Sequence, residues 1–65
     1  MAGDEGSILG NLGGAYEALS QYEKAINYYE QALAIAREVK NRAGEGITLN
    51  NLAATYRALS APFHK

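Results

Sequence analysis

The sequence predicts an all-α fold: an antiparallel helix-turn-helix repeat followed by the first helix of the next repeat, a fragment of an α–α superhelix. Three observations predict it. Apolar residues step by three and four places rather than two, as Leu9, Leu12, Tyr16, Leu19 and again as Leu49, Leu52, Tyr56, Leu59, which is a helix stripe. The chain also matches itself when shifted by 40 places. Residues 3–20 and 43–60 then share Glu5/Glu45, Gly6/Gly46, Leu9/Leu49, Asn11/Asn51, Leu12/Leu52, Tyr16/Tyr56, Ala18/Ala58, Leu19/Leu59 and Ser20/Ser60, and periods of 20 to 50 residues mark stacked repeats. Finally, 65 residues with no cysteine and one histidine allow neither a disulfide nor a zinc staple. Cores of this size keep only ~3–5 kcal/mol in hand, so helix packing or self-association has to supply the stability.

Helix one is expected at about 4–19. Asp4 and Glu5 set an acidic first turn against the helix dipole. Gly6, Gly10, Gly13 and Gly14 each weaken it by ~1 kcal/mol relative to Ala, so it depends on what packs against it. Helix two is expected at 21–40. Ser20-Gln21-Tyr22-Glu23 reads as a capping box at its start. Tyr22, Ala25, Tyr29, Ala32, Ala36 and Val39 form one stripe, and the pairs Ile26/Leu33 and Tyr28/Ile35 add two more. Only Glu23, Asn27, Glu30, Ala34 and Arg37 make a wet face, as suits a helix wedged between two neighbours. Asn41 tolerates the left-handed conformation that ends a helix, and Lys40 and Arg42 lie where cations favour its C-terminal end. Helix three is expected at 43–60. Residues 3–60 thus form one and a half repeats, and residues 61–65 a tail, either native or a cloning scar.

The small residues Gly13, Ala25 and Ala32 suit helix crossings at about the 8 Å end of the interaxial range. Tyr16, Tyr29 and Leu33 are expected to fill the space beside them. Tyr16, Tyr22, Tyr29 and Tyr56 fall on the stripes and read as core, while Tyr28 stays open.

These residues resemble the tetratricopeptide repeat family, in particular its long variety with a period near 40, found in kinesin light chains, Pins-type polarity adaptors and bacterial arrays. The resemblance covers about residues 5–60 and is carried by Asn11-Leu12-Gly13, Ala15-Tyr16, Leu19, Tyr22, Ala25-Ile26, Tyr28-Tyr29, Ala32-Leu33, Ile35, Asn51-Leu52-Ala53, Tyr56 and Leu59. Two positions depart from it: Ser20 stands where the family usually has Gly at the turn, and Ala53 where it prefers Gly. The resemblance implies a scaffold fragment whose first helices line a concave groove for peptides or helices. On that face stand Ser7, Gly10, Asn11, Gly14, Glu17 and Ala18 of helix one and Ile47, Asn50, Asn51, Ala54, Arg57 and Ala58 of helix three. The partner-binding expectation centres on Asn11, Gly14, Glu17, Asn50, Asn51, Ala54 and Arg57, since an Asn amide both donates to and accepts from an extended backbone. The family's clamp for a C-terminal carboxylate uses Lys and Asn on this face. Here Gly10 and Asn50 replace the first Lys, and Gly14 and Ala54 the second Asn, so chaperone-tail binding is not expected.

No catalytic set emerges, and no enzyme activity, metal or cofactor is expected. Gly10-x-x-Gly13-Gly14 lacks the Lys-Ser/Thr ending of a phosphate loop, and Gly6-x-x-x-Gly10 lies in no apolar segment long enough for a membrane helix pair. His64 has no carboxylate at a recognisable spacing. A net charge of −1 offers no field for a phosphate backbone. The acidic start precedes no apolar core of a secretory leader, and no apolar run approaches the ~20 residues of a membrane span. The expected setting is cytoplasmic, with a protein or peptide partner and neither nucleic acid nor membrane.

A second reading, from a different class, is a self-assembling structural piece. Leu49, Leu52, Tyr56 and Leu59 form a face that a fourth helix would cover, and such a patch favours pairing between copies. Helix three, a near copy of helix one, could take helix one's place on another chain's helix two, hinging at residues 40–46, to give a helix-exchanged homodimer or larger oligomer.

Overall fold

A computed structural model describes residues 3–60 as three helices, α1 (Gly3–Ala18), α2 (Tyr22–Glu38) and α3 (Arg42–Ser60). Strand is absent among the described residues. The fold is a helix-turn-helix pair followed by one further helix. The expected tail, with Pro62 and His64, lies outside the described residues.

α2 lies between its two neighbours, which scarcely touch each other. Its buried residues are Ala25, Ile26, Tyr29, Ala32 and Ala36, while Glu23, Asn27, Glu30, Ala34 and Arg37 are all exposed. The core gathers Ala25, Ile26, Tyr29 and Leu52, with Tyr16 and Leu33 packed beside them. Tyr28 joins this packing from the side: its ring stacks on that of Tyr16 with centroids 5.4 Å apart.

The two outer helices turn different faces toward α2. On α1, Gly13 is buried and Gly6, Leu9, Tyr16 and Glu17 half-buried, whereas Ile8, Leu12 and Leu19 are exposed. On α3 the buried residues are Thr48, Leu52 and Thr55. This corrects both expected stripes. Leu12 and Leu19 do not face the core, Tyr56 is 48 % exposed rather than core, and Leu52 is a core residue at 7 % exposure and no part of a free face. The two buried threonines were not expected inside. Each satisfies its hydroxyl within its own helix, Thr48 Oγ1 donating to the Gly44 carbonyl and Thr55 Oγ1 to that of Asn51, both at 2.8 Å, a local bond open to Thr in helices.

The turns are also built differently from expectation. Ser20 and Lys40 both have left-handed backbones, with φ 64° and 60°. At the first turn the Ser20 amide donates to the Glu17 carbonyl at 2.9 Å and the Gln21 amide to that of Tyr16 at 2.9 Å. At the second, Lys40 donates to Arg37 at 3.1 Å and Asn41 to Ala36 at 2.8 Å. Both are the paired bonds of a Schellman motif, which satisfies the last carbonyls of a helix. Ser20 therefore ends α1 instead of starting α2. The capping box does not form, and the residue before α2, Gln21, makes no side-chain cap bond.

Lys40, not Asn41, takes the left-handed position, and Asn41 instead caps α3 through Oδ1, which accepts from the Gly44 amide at 3.0 Å. A Cβ on Gly44 would come within 2.6 Å of the Asn41 side chain. Arg42 then opens α3, at a positive helix end rather than the negative one expected. An ion pair between Arg37 and Glu45 at 3.0 Å spans the same turn.

Candidate functional site

Because α1 and α3 flank α2 without closing over it, a groove of about 260 Å³ runs between them. Its floor is apolar: Ala32, Ile35 and Ala36 of α2, and Val39 just past the helix end. Gly6, Ser7, Gly10 and Asn11 line the α1 wall, and Asn41, Gly44, Ile47, Thr48 and Asn51 the other. The glycines keep the walls low: a Cβ on Gly10 would meet nothing within 4 Å. Every lining residue is uncharged, so hydrogen bonding and apolar contact are what the groove offers a ligand.

Of the residues expected to bind a partner, Asn11 and Asn51 lie here, one 40-residue period apart and on opposite walls. Ser7, Gly10 and Ile47 of the wider face join them. Gly14, Glu17, Asn50, Ala54 and Arg57 do not line it. Gly14 lies beside Tyr29, whose hydroxyl would be 3.7 Å from its Cβ. Glu17 is engaged elsewhere, its Oε1 accepting from the Tyr29 hydroxyl at 2.9 Å. Asn50, Ala54 and Arg57 are exposed. The floor escaped the sequence reading because it belongs to α2, whose Ala32, Ile35 and Ala36 read as packing positions; the signal was there in an inner stripe of alanines too small to fill the space between two outer helices.

Two tyrosines carry perturbed hydroxyls outside the groove. Burial pushes Tyr29 up to about 12, and its bond to Glu17 and that carboxylate's charge add to the shift. Tyr56 donates to Glu30 Oε2 at 3.2 Å, and that bond, ahead of burial, raises its pKa. Each of these tyrosines pairs with a carboxylate on a neighbouring helix. Among the described residues no cluster of His, Asp and Glu could hold a metal, and no helix is long and apolar enough to cross a membrane.

A family model described as tetratricopeptide repeat matches residues 4–62. Comparison with curated proteins and with solved structures found no match.

Proposed function

Because the chain belongs to the tetratricopeptide repeat family, we propose that it is a non-catalytic protein-interaction module, of the family's long 40-residue variety, that presents the groove between α1 and α3 to an extended peptide. The observation carrying this reading is the pairing of Asn11 and Asn51 on opposite walls above an apolar floor. Two amides in that arrangement offer donors and acceptors to a peptide backbone, while Ile35 and Val39 offer apolar contact to its side chains. The uncharged lining accords with a partner read by its backbone rather than by a terminal carboxylate.

The test is selection of peptides from a random library on the immobilised chain, followed by titration of the hits into labelled protein. Hits that shift the Asn11, Ile47 and Asn51 resonances, and weaken about tenfold or more on Asn11→Ala/Asn51→Ala, support the reading. Hits that bind the double variant equally well defeat it. The self-assembling reading is kept by one observation, the exposure of Leu49, Tyr56 and Leu59 on α3. Light scattering from micromolar to millimolar concentration decides it: a constant mass near 7.0 kDa removes it.

A further inference from the structure

The groove divides along its length into two parts of different chemistry. At the end beside the α2–α3 turn, polar side chains are already engaged within their own segment: Asn41 Oδ1 accepts from the Gly44 amide at 3.0 Å, and Thr48 Oγ1 donates to the Gly44 carbonyl at 2.8 Å. What this end leaves open is apolar. Val39 is 44 % and Ile47 63 % exposed, Ile35 is half-buried, and all three line the groove. Beside Ile35, α1 withholds a side chain at Gly6, where a Cβ would sit 3.5 Å from Ile35 Cγ2. Asn11 and Asn51 stand farther from the turn, on the two walls.

The three open side chains are all β-branched and therefore stiff at χ1, so the hollow they form needs little ordering when something enters it. An aliphatic side chain placed there gains in proportion to the apolar area it covers. An ionised one would give up its hydration and meet no counter-charge, because no charged residue lines the groove. A neutral polar one would find the Thr48 hydroxyl proton and the Asn41 oxygen already bonded. Spacing sets the register as well. Ile47 and Asn51 are one turn apart on α3, about 6 Å along its axis, which an extended chain spans in about two residues.

We propose that the turn end of the groove is an aliphatic side-chain subsite, and that the segment it takes is an uncharged extended chain carrying Leu, Ile or Val about two residues from the peptide bond held by Asn11 and Asn51. The inference rests on the groove binding an extended peptide, and it names what that peptide must carry. Asn11 and Asn51 offer the same bonds to any backbone. Ile35, Val39 and Ile47 choose among backbones, and Ile47, the most exposed of the three, is the one that can be changed without disturbing the core.

The test titrates three capped pentapeptides, acetyl-Gly-Gly-X-Gly-Gly-amide with X as Leu, Asn or Glu, into the isotope-labelled chain. The Leu peptide should move the Ile35, Val39 and Ile47 methyl resonances and bind at least about tenfold tighter than either of the others. Ile47→Ser, at an exposed position that keeps the helical circular dichroism, should bring the Leu and Asn peptides level. Asn11→Ala/Asn51→Ala should weaken all three peptides by a common factor and leave the Leu preference intact. Equal binding of the Leu and Asn peptides overturns the subsite, as does a Leu preference that survives Ile47→Ser; where such binding still depends on the asparagine pair, the groove reading stands without it. A Leu preference at the three methyls that is indifferent to the asparagine pair does the reverse, keeping the subsite and defeating the backbone contact. Silence from all three peptides at millimolar concentration overturns both.

Discussion

Three glycines on one helix should respond to alanine in opposite directions, and the sign is set by Tyr29. Relieving a helix of a glycine gains about 1 kcal/mol. At Gly10 nothing stands within 4 Å of the new Cβ, and at Gly14 the nearest atom is the Tyr29 hydroxyl at an ordinary 3.7 Å, so both variants should show that gain. For a domain this small it raises Tm by about 4–8 °C. At Gly13 the Cβ meets Tyr29 carbons at 2.7 Å, and Tyr29 is 2 % exposed, so the ring has nowhere to go without moving a helix. Overpacking of this kind costs about 1–3 kcal/mol, which cancels or exceeds the propensity gain. Thermal unfolding followed by circular dichroism should therefore place Gly13→Ala below Gly10→Ala by at least about 4 °C. In a Tyr29→Leu background the gap should narrow, because the coupling runs through the ring. Equal midpoints for Gly10→Ala and Gly13→Ala would show that the helices part without cost.

Other expectations follow from the same packing. Ala32→Leu should destabilise by about 1–3 kcal/mol and Ala34→Leu hardly at all, since Ala32 is buried and Ala34 exposed; urea midpoints compare them directly. Leu52→Ala should cost about 2–5 kcal/mol while its repeat mate Leu12→Ala costs far less, the two being 7 % and 38 % exposed. Ser20→Gly and Lys40→Gly should each stabilise the fold by up to about 1 kcal/mol, read as a higher thermal midpoint, because a left-handed residue with a side chain costs about 1–2 kcal/mol and glycine returns part of that in unfolded-state entropy. Tyr29 titrates higher in the fold, at about 12 against an ordinary 10. Its contribution should be complete below pH 10 and fall as the pH climbs toward 12, because the unfolded chain gives up its proton first. Chemical denaturation at pH 8 and 11 should show a loss that shrinks in Tyr29→Phe.

Helix number and type were legible because step-three and step-four spacing and the 40-place self-match are properties of the chain alone. The wet face of α2 was legible for the same reason, its polar residues having one side of a wedged helix to themselves. The turns were not. Ser20 at the head of Ser-x-x-Glu is the right residue for a cap, but the Schellman bonds that close α1 claim its backbone first, and a residue at φ 64° cannot also hold the extended backbone of an N-cap. Lys40 and Asn41 are misplaced by one residue for the same reason: Asn41 would serve at either position, and its side-chain bond to Gly44 decides where it goes.

The groove was legible only where the repeat pointed. Asn11 and Asn51 stand out because they coincide at one period, whereas the floor belongs to α2 and has no repeat mate in this chain. The leucine stripes failed for a reason that the repeat itself explains. Leu9, Leu12, Tyr16 and Leu19 fall within one arc of roughly 80° that lies between two adjoining faces, and in a stack each such helix has neighbours on two sides. α1 has its neighbour on the Leu9/Gly13/Tyr16 side, and α3 has the same neighbour on the Thr48/Leu52/Thr55 side. Equivalent residues therefore exchange burial, Leu52 inside where Leu12 is exposed and Tyr56 exposed where Tyr16 is packed. Hydropathy misassigns the faces of α3, because the buried one carries Thr48 and Thr55 while the open one carries Leu49, Tyr56 and Leu59. α1 turns Gly6 and Gly13 toward α2 and accepts Ile35 and the Tyr29 ring in the space they leave, while α3 reaches the other side of α2 with Leu52 and keeps Gly46 exposed.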